Sequence, residues 1–424
     1  MTEPSALRRL PREVWALGAV SLLTDTASDM VYPLLPKLLE TLGAGAIALG
    51  VMEGTAELLA SFLKIWAGRA SDRSGVRGPF VVFGYGLAAL SRPLMSIVTS
   101  PWQVVGARTL DRIGKGIRSA PRDALIGAVT PEENRGLAFG VHRAMDNLGA
   151  VFGPIVAWLL LAANFSLRAV FALALFPGLV STGLAWLAVR REPAPVTVTE
   201  PEPVTEPVTE PVTVTEPEPV TEPKPEPEPK PKKKPPLSKQ ARRLLIATAI
   251  FALSASADSF LMARLTDLAL PIALLPIAWI TLQAAKSLLN VPGGALADRL
   301  GARRVLLASW IVYAIAYALF ARATTWAGFW ALLPLYAIHY GLGEGAEKSL
   351  MARACAPEER GTAFGAQYAV HGIALLPANV VFGVIYAKNP ALAFGMSSAL
   401  AATAAIALMV LVPNAPPKTP APVR

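Results

Sequence analysis

The sequence predicts an all-α membrane protein of twelve transmembrane helices, arranged as two pseudo-symmetric six-helix halves. Three observations lead there. Apolar runs recur at bilayer-spanning length, cations gather in the loops at one end of those runs, and two loop motifs repeat between the first and second parts of the chain.

The apolar runs come first. Of the 424 residues, 53% are hydrophobic and only 16% charged, too few charges to coat a soluble domain of this size. Runs of roughly 18–25 apolar residues match about 30 Å of hydrocarbon at about 1.5 Å rise per residue. They fall at 14–38, 45–66, 79–99, 102–121, 137–160 and 169–190, then at 244–265, 269–294, 305–321, 328–352, 362–387 and 391–412. Arg8, Arg9 and Arg12 precede the first run as they would a secretory signal, but Asp25 and Asp29 interrupt it and no small-residue cleavage pattern follows. It reads as a retained first span.

Charge placement sets the topology. A net charge of +9 in a soluble protein would point to nucleic acid. Here the cations alternate with the spans, so the lipid bilayer is the expected partner and nucleic acid is not. Arg8, Arg9, Arg12, Arg73, Arg77, Arg122, Arg135, Arg190 and Arg191 share one side with Lys232–Lys234, Arg242, Arg303, Arg304, Arg353 and Arg360. Both termini and the central loop are therefore expected in the cytoplasm, with the spans in a bacterial inner membrane. The single cysteine, Cys355, excludes a disulfide framework and a multi-thiolate metal site. No metal or other cofactor is expected.

Between the halves, at 1–192 and 241–424, lies a low-complexity segment, 193–240, rich in Pro-Val-Thr-Glu and Lys-Pro-Glu repeats. Proline at that density favours an extended polyproline-II tether.

The internal repeat is the most specific architectural signal. GRASDRSGVR (68–77) recurs as GALADRLGAR (294–303), and TPEENRGLAFG (130–140) recurs as APEERGTAFG (356–365). Each copy holds the same position and orientation in its half, as a parallel duplication requires. Gly75 and Gly301 permit a sharp turn, Gly68 and Gly294 a close helix contact.

With these motifs the sequence resembles the major facilitator superfamily across all of the chain except the proline-rich segment. Gly68, Asp72, Arg73, Gly75 and Arg77, with Gly294, Asp298, Arg299, Gly301 and Arg303, match that family's G-x-x-x-D-R-x-G-x-R signature. The resemblance implies that these loops act as a conformational latch. Gly140, Gly149, Gly153 and Pro154 in span five resemble the family's antiporter motif, although Ala157 and Trp158 stand where paired glycines are usual. That likeness implies export. The resemblance also implies that spans one, two, four and five border the first half's side of a central cavity.

Charges inside the spans mark the candidate site, since each costs about 2.5–3.5 kcal/mol on insertion scales. In span four, Arg108, Asp111, Arg112, Lys115, Arg118 and Arg122 recur every three or four residues. At about 100° per residue they form a stripe roughly 120° wide, which must face water or counter-charges. Counter-charges are Asp25 and Asp29 in span one, Glu53 and Glu57 in span two, and His142 and Asp146 beside Arg143 in span five. The second half is sparer, with Asp258, His339 and Glu344 as candidates alongside Lys286, Glu347, Lys348 and His371. A carboxylate beside an arginine can exchange a proton for a substrate as its surroundings alternate between wet and occluded. Asp29, Glu53, Glu57, Asp111 and Asp146 are the candidates for that coupling, and Arg108, Arg112 and Lys115 those for gripping an anion. A structural ion-pair network is the competing reading. His142 is assigned a structural or proton-linked role and not metal ligation.

The expected function is secondary active export of a small molecule by proton antiport, carried out by a monomer. Coupled import of an anionic or zwitterionic solute, and a non-transporting receptor or assembly factor, are the rivals. The chain carries no G-x-S-x-G, H-E-x-x-H or phosphate-cradling G-x-x-x-x-G-K-[ST] motif, so no enzymatic activity is expected.

Overall fold

The computed structural model describes residues 10–131, 135–190, 237–355 and 360–412, and among them all regular structure is helical. The linker, Lys232–Lys234 within it, and parts of the second loop repeat lie outside the described residues.

Span one is α1 (Arg12–Val31), a 3-10 turn and α2 (Leu35–Thr41). Span two is α3 (Ala46–Ser74), span three α4 (Gly78–Leu94), span four α5 (Pro101–Val129) and span five α6 (Arg135–Ala162). Span six is α7 (Leu167–Leu173) with α8 (Leu175–Val189). In the second half, span seven is α9 (Lys239–Ser254) with α10 (Ser259–Asp267), span eight α11 (Leu275–Leu300) and span nine α12 (Ala302–Arg322). Span ten is α13 (Trp326–Ala331) with α14 (Leu333–Ala354), span eleven α15 (Arg360–Lys388) and span twelve α16 (Pro390–Leu411).

Among the described residues, eight helical runs are long and apolar enough to cross a membrane unaided. The other spans fall short for reasons visible in the sequence. Asp25 and Asp29 interrupt the apolar run of span one, span three is 17 residues long, and His339 and Glu344 interrupt span ten. Pro33, Pro36 and Pro334 stand at the helix breaks of spans one and ten, since proline lacks the N–H that continuous helix needs. Span four is long but carries the charged stripe. Local signals start the helices: Ser100 and Gln103 form a reciprocal capping box before α5, and Ser166, Ser238, Thr325 and Asn389 accept the backbone N–H three residues on. Bulky apolar side chains such as Phe83, Phe176, Leu392 and Val410 stay exposed on the outside, where lipid tails cover them.

Glycine lets the helices approach. A Cβ on Gly149 would lie 2.4 Å from the Leu22 carbonyl oxygen, and one on Gly153 the same distance from that of Thr26, so span five packs backbone-to-backbone on span one. Gly140, in the same motif, faces open space. At the repeated loops Gly75 has φ +67° and Gly301 φ +91°, which a side chain would strain. A Cβ on Gly68 would lie 3.3 Å from that of Ala120, and a Cβ on Gly345 of span ten would lie 3.5 Å from the Gly294 Cα, so both glycines stand at close helix contacts, although a Cβ on Gly294 itself would point into open space. In span eight the closer approach falls one residue earlier, because the helix turns Gly293 onto the Gly341 carbonyl of span ten.

The halves meet along spans two and eleven and along spans five and eight. On span two this seam runs from Ala46, against Gly383, through Gly50 against Asn379 and Gly54 against Leu376, to Ser61 against Gly372. Beyond Ser61, toward the end that bears the basic loops, Phe62, Lys64, Trp66 and Arg69 are exposed. At that same end Lys115, Arg143, Glu344 and Lys348 are exposed as well. The halves are thus closed from the opposite end to about mid-depth and parted toward the basic end.

Candidate functional site

The charged stripe of span four divides by direction. Arg108, Asp111 and Arg118 are buried, Arg112 and Arg122 are half-buried, and Lys115 is exposed. Asp111 is clamped. Arg92 of span three donates to its Oδ1 from Nε at 3.0 Å, with Nη2 2.9 Å from the same oxygen, and Arg108 donates to Oδ2 from Nη1 at 3.1 Å. Arg92 also donates through Nη1 to the Thr24 carbonyl of span one at 3.0 Å. Three spans are thereby tied at one carboxylate.

Arg108 extends the network toward the seam. Its Nε lies 3.7 Å from Glu53 Oε1, and its guanidinium carbon sits 4.5 Å above the Tyr32 ring. Arg118 stacks likewise on Tyr85 at 4.5 Å. A guanidinium held against an aromatic face keeps an electrostatic partner where water is excluded.

Nearer the basic end, Asp146 accepts a hydrogen bond from Ser21, and Arg122 reaches the same hydroxyl at 3.4 Å. His142 is buried with Nδ1 3.8 Å from Asp146 Oδ2. Asp25 is half-buried among Asp146, Lys115, Arg118 and Arg92, and Glu57 among Arg112, Lys64 and Lys115. Arg112 lies within electrostatic reach of Glu57, Asp111 and Glu53. The structure therefore gathers the expected charges of spans one, two, four and five into one region, with contact clusters around Asp111 and around Asp146 and with Arg143 exposed at its rim.

One member crosses between the halves. Asp29 accepts a hydrogen bond from Trp279 Nε1 of span eight at 3.0 Å, and the Trp279 ring lies 4.8 Å from that of Tyr32. The first-half charges thus have a direct contact with the second half through Asp29 and, via Tyr32, through Arg108.

In the second half Asp258 is ion-paired with Lys286 and accepts from the Tyr336 hydroxyl at 2.9 Å. His339 is buried with Nδ1 2.8 Å from Ser309 Oγ, away from Asp258, among the rings of Phe251, Tyr313 and Tyr340. Glu344 is exposed and pairs with Lys348 at 2.9 Å. Glu347 accepts from Gln367 at 2.7 Å, with His371 3.5 Å away.

At the repeated loops, Asp72 lies 3.9 Å from Arg77 of its own loop. Arg73 lines a groove of about 500 Å³ with Phe62, Ile65, Trp66 and Arg69 on span two. In the second copy, Arg303 donates to the Met409 carbonyl at 2.9 Å and so caps the end of span twelve, while Arg299 is exposed. The Asp298 side chain lies outside the described residues.

Sequence reasoning passed over Arg92, Tyr32 as a cation's partner, Trp279, Tyr336 and Tyr340. Arg92 left a signal, a lone arginine inside an apolar run, which by cost alone calls for a buried counter-charge. Tyr336 and Tyr340 stand one helical turn apart, a spacing that equally fits plain core packing.

The comparisons with known proteins agree with this architecture. The family model described as Major Facilitator Superfamily matches residues 17–282 and 244–424. An uncharacterised MFS-type transporter of Methanocaldococcus jannaschii is 28% identical over 411 residues, covering 95% of this chain and 96% of that protein. The multidrug resistance protein MdtH of Edwardsiella ictaluri is 31% identical over 168 residues, 39% of this chain and 41% of the relative. Among solved structures, a bacterial homologue of the human lysosomal transporter Spinster in an inward-facing, unoccupied conformation superposes with TM-score 0.68 at 13% identity, covering 97% of this chain and 96% of that one. On the family match across both halves, the chain belongs to the Major Facilitator Superfamily and is a multi-pass membrane transporter, not an enzyme.

Proposed function

We propose that the protein exports a small molecule in exchange for protons, by alternating access between two six-helix halves. The observation that carries this reading is the Asp29–Trp279 hydrogen bond, which joins the buried charge network of the first half to a helix of the second. A carboxylate at such a seam gains a proton more readily when enclosed and loses it when wetted. Proton binding and the contact between halves are thereby linked, and that linkage is what coupled transport requires. Asp25, Glu57 and Asp146 supply further proton sites in reach of the same cavity, and Arg112 and Lys115 hold the cavity's cationic wall. Likeness to MdtH over part of the chain, and the antiporter-like glycines of span five, favour export.

In this reading the basic loops face the cytoplasm of a bacterial cell, both termini and the 193–240 tether lie on that side, and the structure is the cytoplasm-open state. The latch loops at Asp72 and Asp298 re-engage when that side closes. The protein works as a monomer.

Mass-spectrometric profiling of cells and medium tests the proposal, comparing wild type, a deletion strain and Arg112→Ala. A compound retained inside both mutants and released by the wild type is the expected result. A compound depleted inside both mutants would establish import and overturn the direction proposed here.

A further inference from the structure

Span seven is discontinuous at mid-depth: α9 ends at Ser254, α10 begins at Ser259, and residues 255–258 between them are not helical. Other helices meet the backbone groups that the break exposes. The Asn379 side-chain oxygen accepts the Ala257 N–H at 2.8 Å, and the Tyr313 hydroxyl donates to the Ser254 carbonyl at 3.0 Å. Non-helical backbone at this depth is sustained where protein buries it or where it lines a polar cavity, and broken helices of this kind place binding groups at mid-membrane.

The group placed here is Asp258. One of its carboxylate oxygens accepts from Tyr336, and the other is paired with Lys286 of span eight. The Lys286 ammonium lies 3.7 Å from the centroid of the Tyr340 ring and 5.5 Å from that of Tyr336. A carboxylate with two aromatic faces around one ammonium is the geometry by which proteins recognise organic cations. Nor is the pair sealed: 12% of the Lys286 side chain and 14% of that of Asp258 are exposed.

We infer that Asp258, Tyr336 and Tyr340 form the recognition site for the ammonium group of an organic cation, and that Lys286 is a tethered occupant which the cargo displaces. The inference rests on the reading of this chain as a small-molecule transporter and names the class of cargo. A tethered cation keeps the carboxylate neutralised while the site is empty. It also makes the cargo compete for its place, which weakens binding and favours release. Displacement has a route to the seam, because Lys286 and Trp279 stand seven residues apart, two turns along one face of span eight. A shift of span eight that frees Lys286 bears directly on the Trp279–Asp29 hydrogen bond.

Calorimetric titration of the purified full-length protein in detergent tests this. Benzylamine is the cationic probe, benzoate and benzyl alcohol carry the same ring without the ammonium, and no gradient is present. The wild type should bind benzylamine and neither control. Lys286→Met should tighten benzylamine binding by about tenfold or more, since it removes the internal competitor but leaves the cage. Tyr340→Leu, which keeps the ion pair and so guards against misfolding of the first variant, should weaken it by about fivefold or more, and Tyr340→Phe should not. Benzoate binding in preference to benzylamine, no benzylamine binding by any folded variant, or unchanged affinity in both Lys286→Met and Tyr340→Leu would overturn the inference. Amine binding by a protein that moves nothing across proteoliposomes would uphold this site and sink the export reading. Proton-driven flux of other cargo without amine binding would do the reverse.

Discussion

Replacing Arg92 with methionine asks whether the buried charges of the first half hold its helices together. Arg92 is 3% exposed, and makes two contacts to Asp111 at 3.0 and 2.9 Å and one to the Thr24 carbonyl at 3.0 Å. Methionine fills much of the same space and donates nothing. Hydrogen bonds to charged groups contribute about 1.5–3 kcal/mol each, and removing one member of a buried pair costs about 3–5 kcal/mol. Asp111 keeps Arg108 at 3.1 Å, so the charge is weakened in its support but not abandoned. The expected loss is about 3–5 kcal/mol. Adding Asp111→Asn removes the carboxylate that Arg92 no longer neutralises, and the double variant should recover about 1–2 kcal/mol of that loss. Reversible unfolding in mixed micelles of rising SDS content, followed by tryptophan fluorescence, measures all four corners of the cycle. A single variant within about 1 kcal/mol of wild type would refute the reasoning, as would a double variant no more stable than the sum of the singles.

Three further outcomes follow from the geometry. Arg112→Ala removes a half-buried cation within electrostatic reach of Glu57 and should abolish flux in vesicles while membrane insertion, read by fluorescence-detected size exclusion, stays normal. Asp72→Asn, at a side chain 3.9 Å from Arg77 of its own loop, should slow the transport cycle without altering which compounds compete for it; changed selectivity would contradict a latch role. Gly50→Val should wedge the seam, since even a Cβ would lie 2.2 Å from the Asn379 carbonyl oxygen. Maleimide labelling of a cysteine placed at Leu42, in a Cys355→Ser background, should then rise severalfold, roughly in step with a destabilisation of about 1–3 kcal/mol.

How much of this was legible in the sequence depends on how local each feature is. The spans, the two halves and the repeated loops announce themselves because hydrocarbon thickness fixes run length and tight turns require Gly75 and Gly301. The stripe on span four was visible as helical periodicity, and its counter-charges were visible as intramembrane carboxylates. Which of them meet was not. Asp111 finds Arg92 nineteen residues earlier on another helix, and Asp29 finds Trp279 across 250 residues. The break in span seven left no proline or glycine to betray it. Residues 255–258 read Ala-Ser-Ala-Asp, and what holds them open is Asn379 from span eleven with tyrosines of span nine. Such a break is written in the partners of a segment, not in the segment.

The seam between the halves has a consequence of its own. At Gly50, Gly54, Gly372 and Gly383 one half rests on the other with no side chain of its own in between. Gly50 and Gly383 meet the facing backbone, and Gly54 and Gly372 receive the Leu376 and Ser61 side chains, so this bearing carries few interlocked side chains and little chemical preference. The residues inferred to choose a cargo stand elsewhere, on spans seven, eight and ten. Mechanics and taste are therefore housed separately, and a lineage can exchange one cargo for another by altering a few cavity side chains while the bearing, which tolerates almost no change in size, is left untouched.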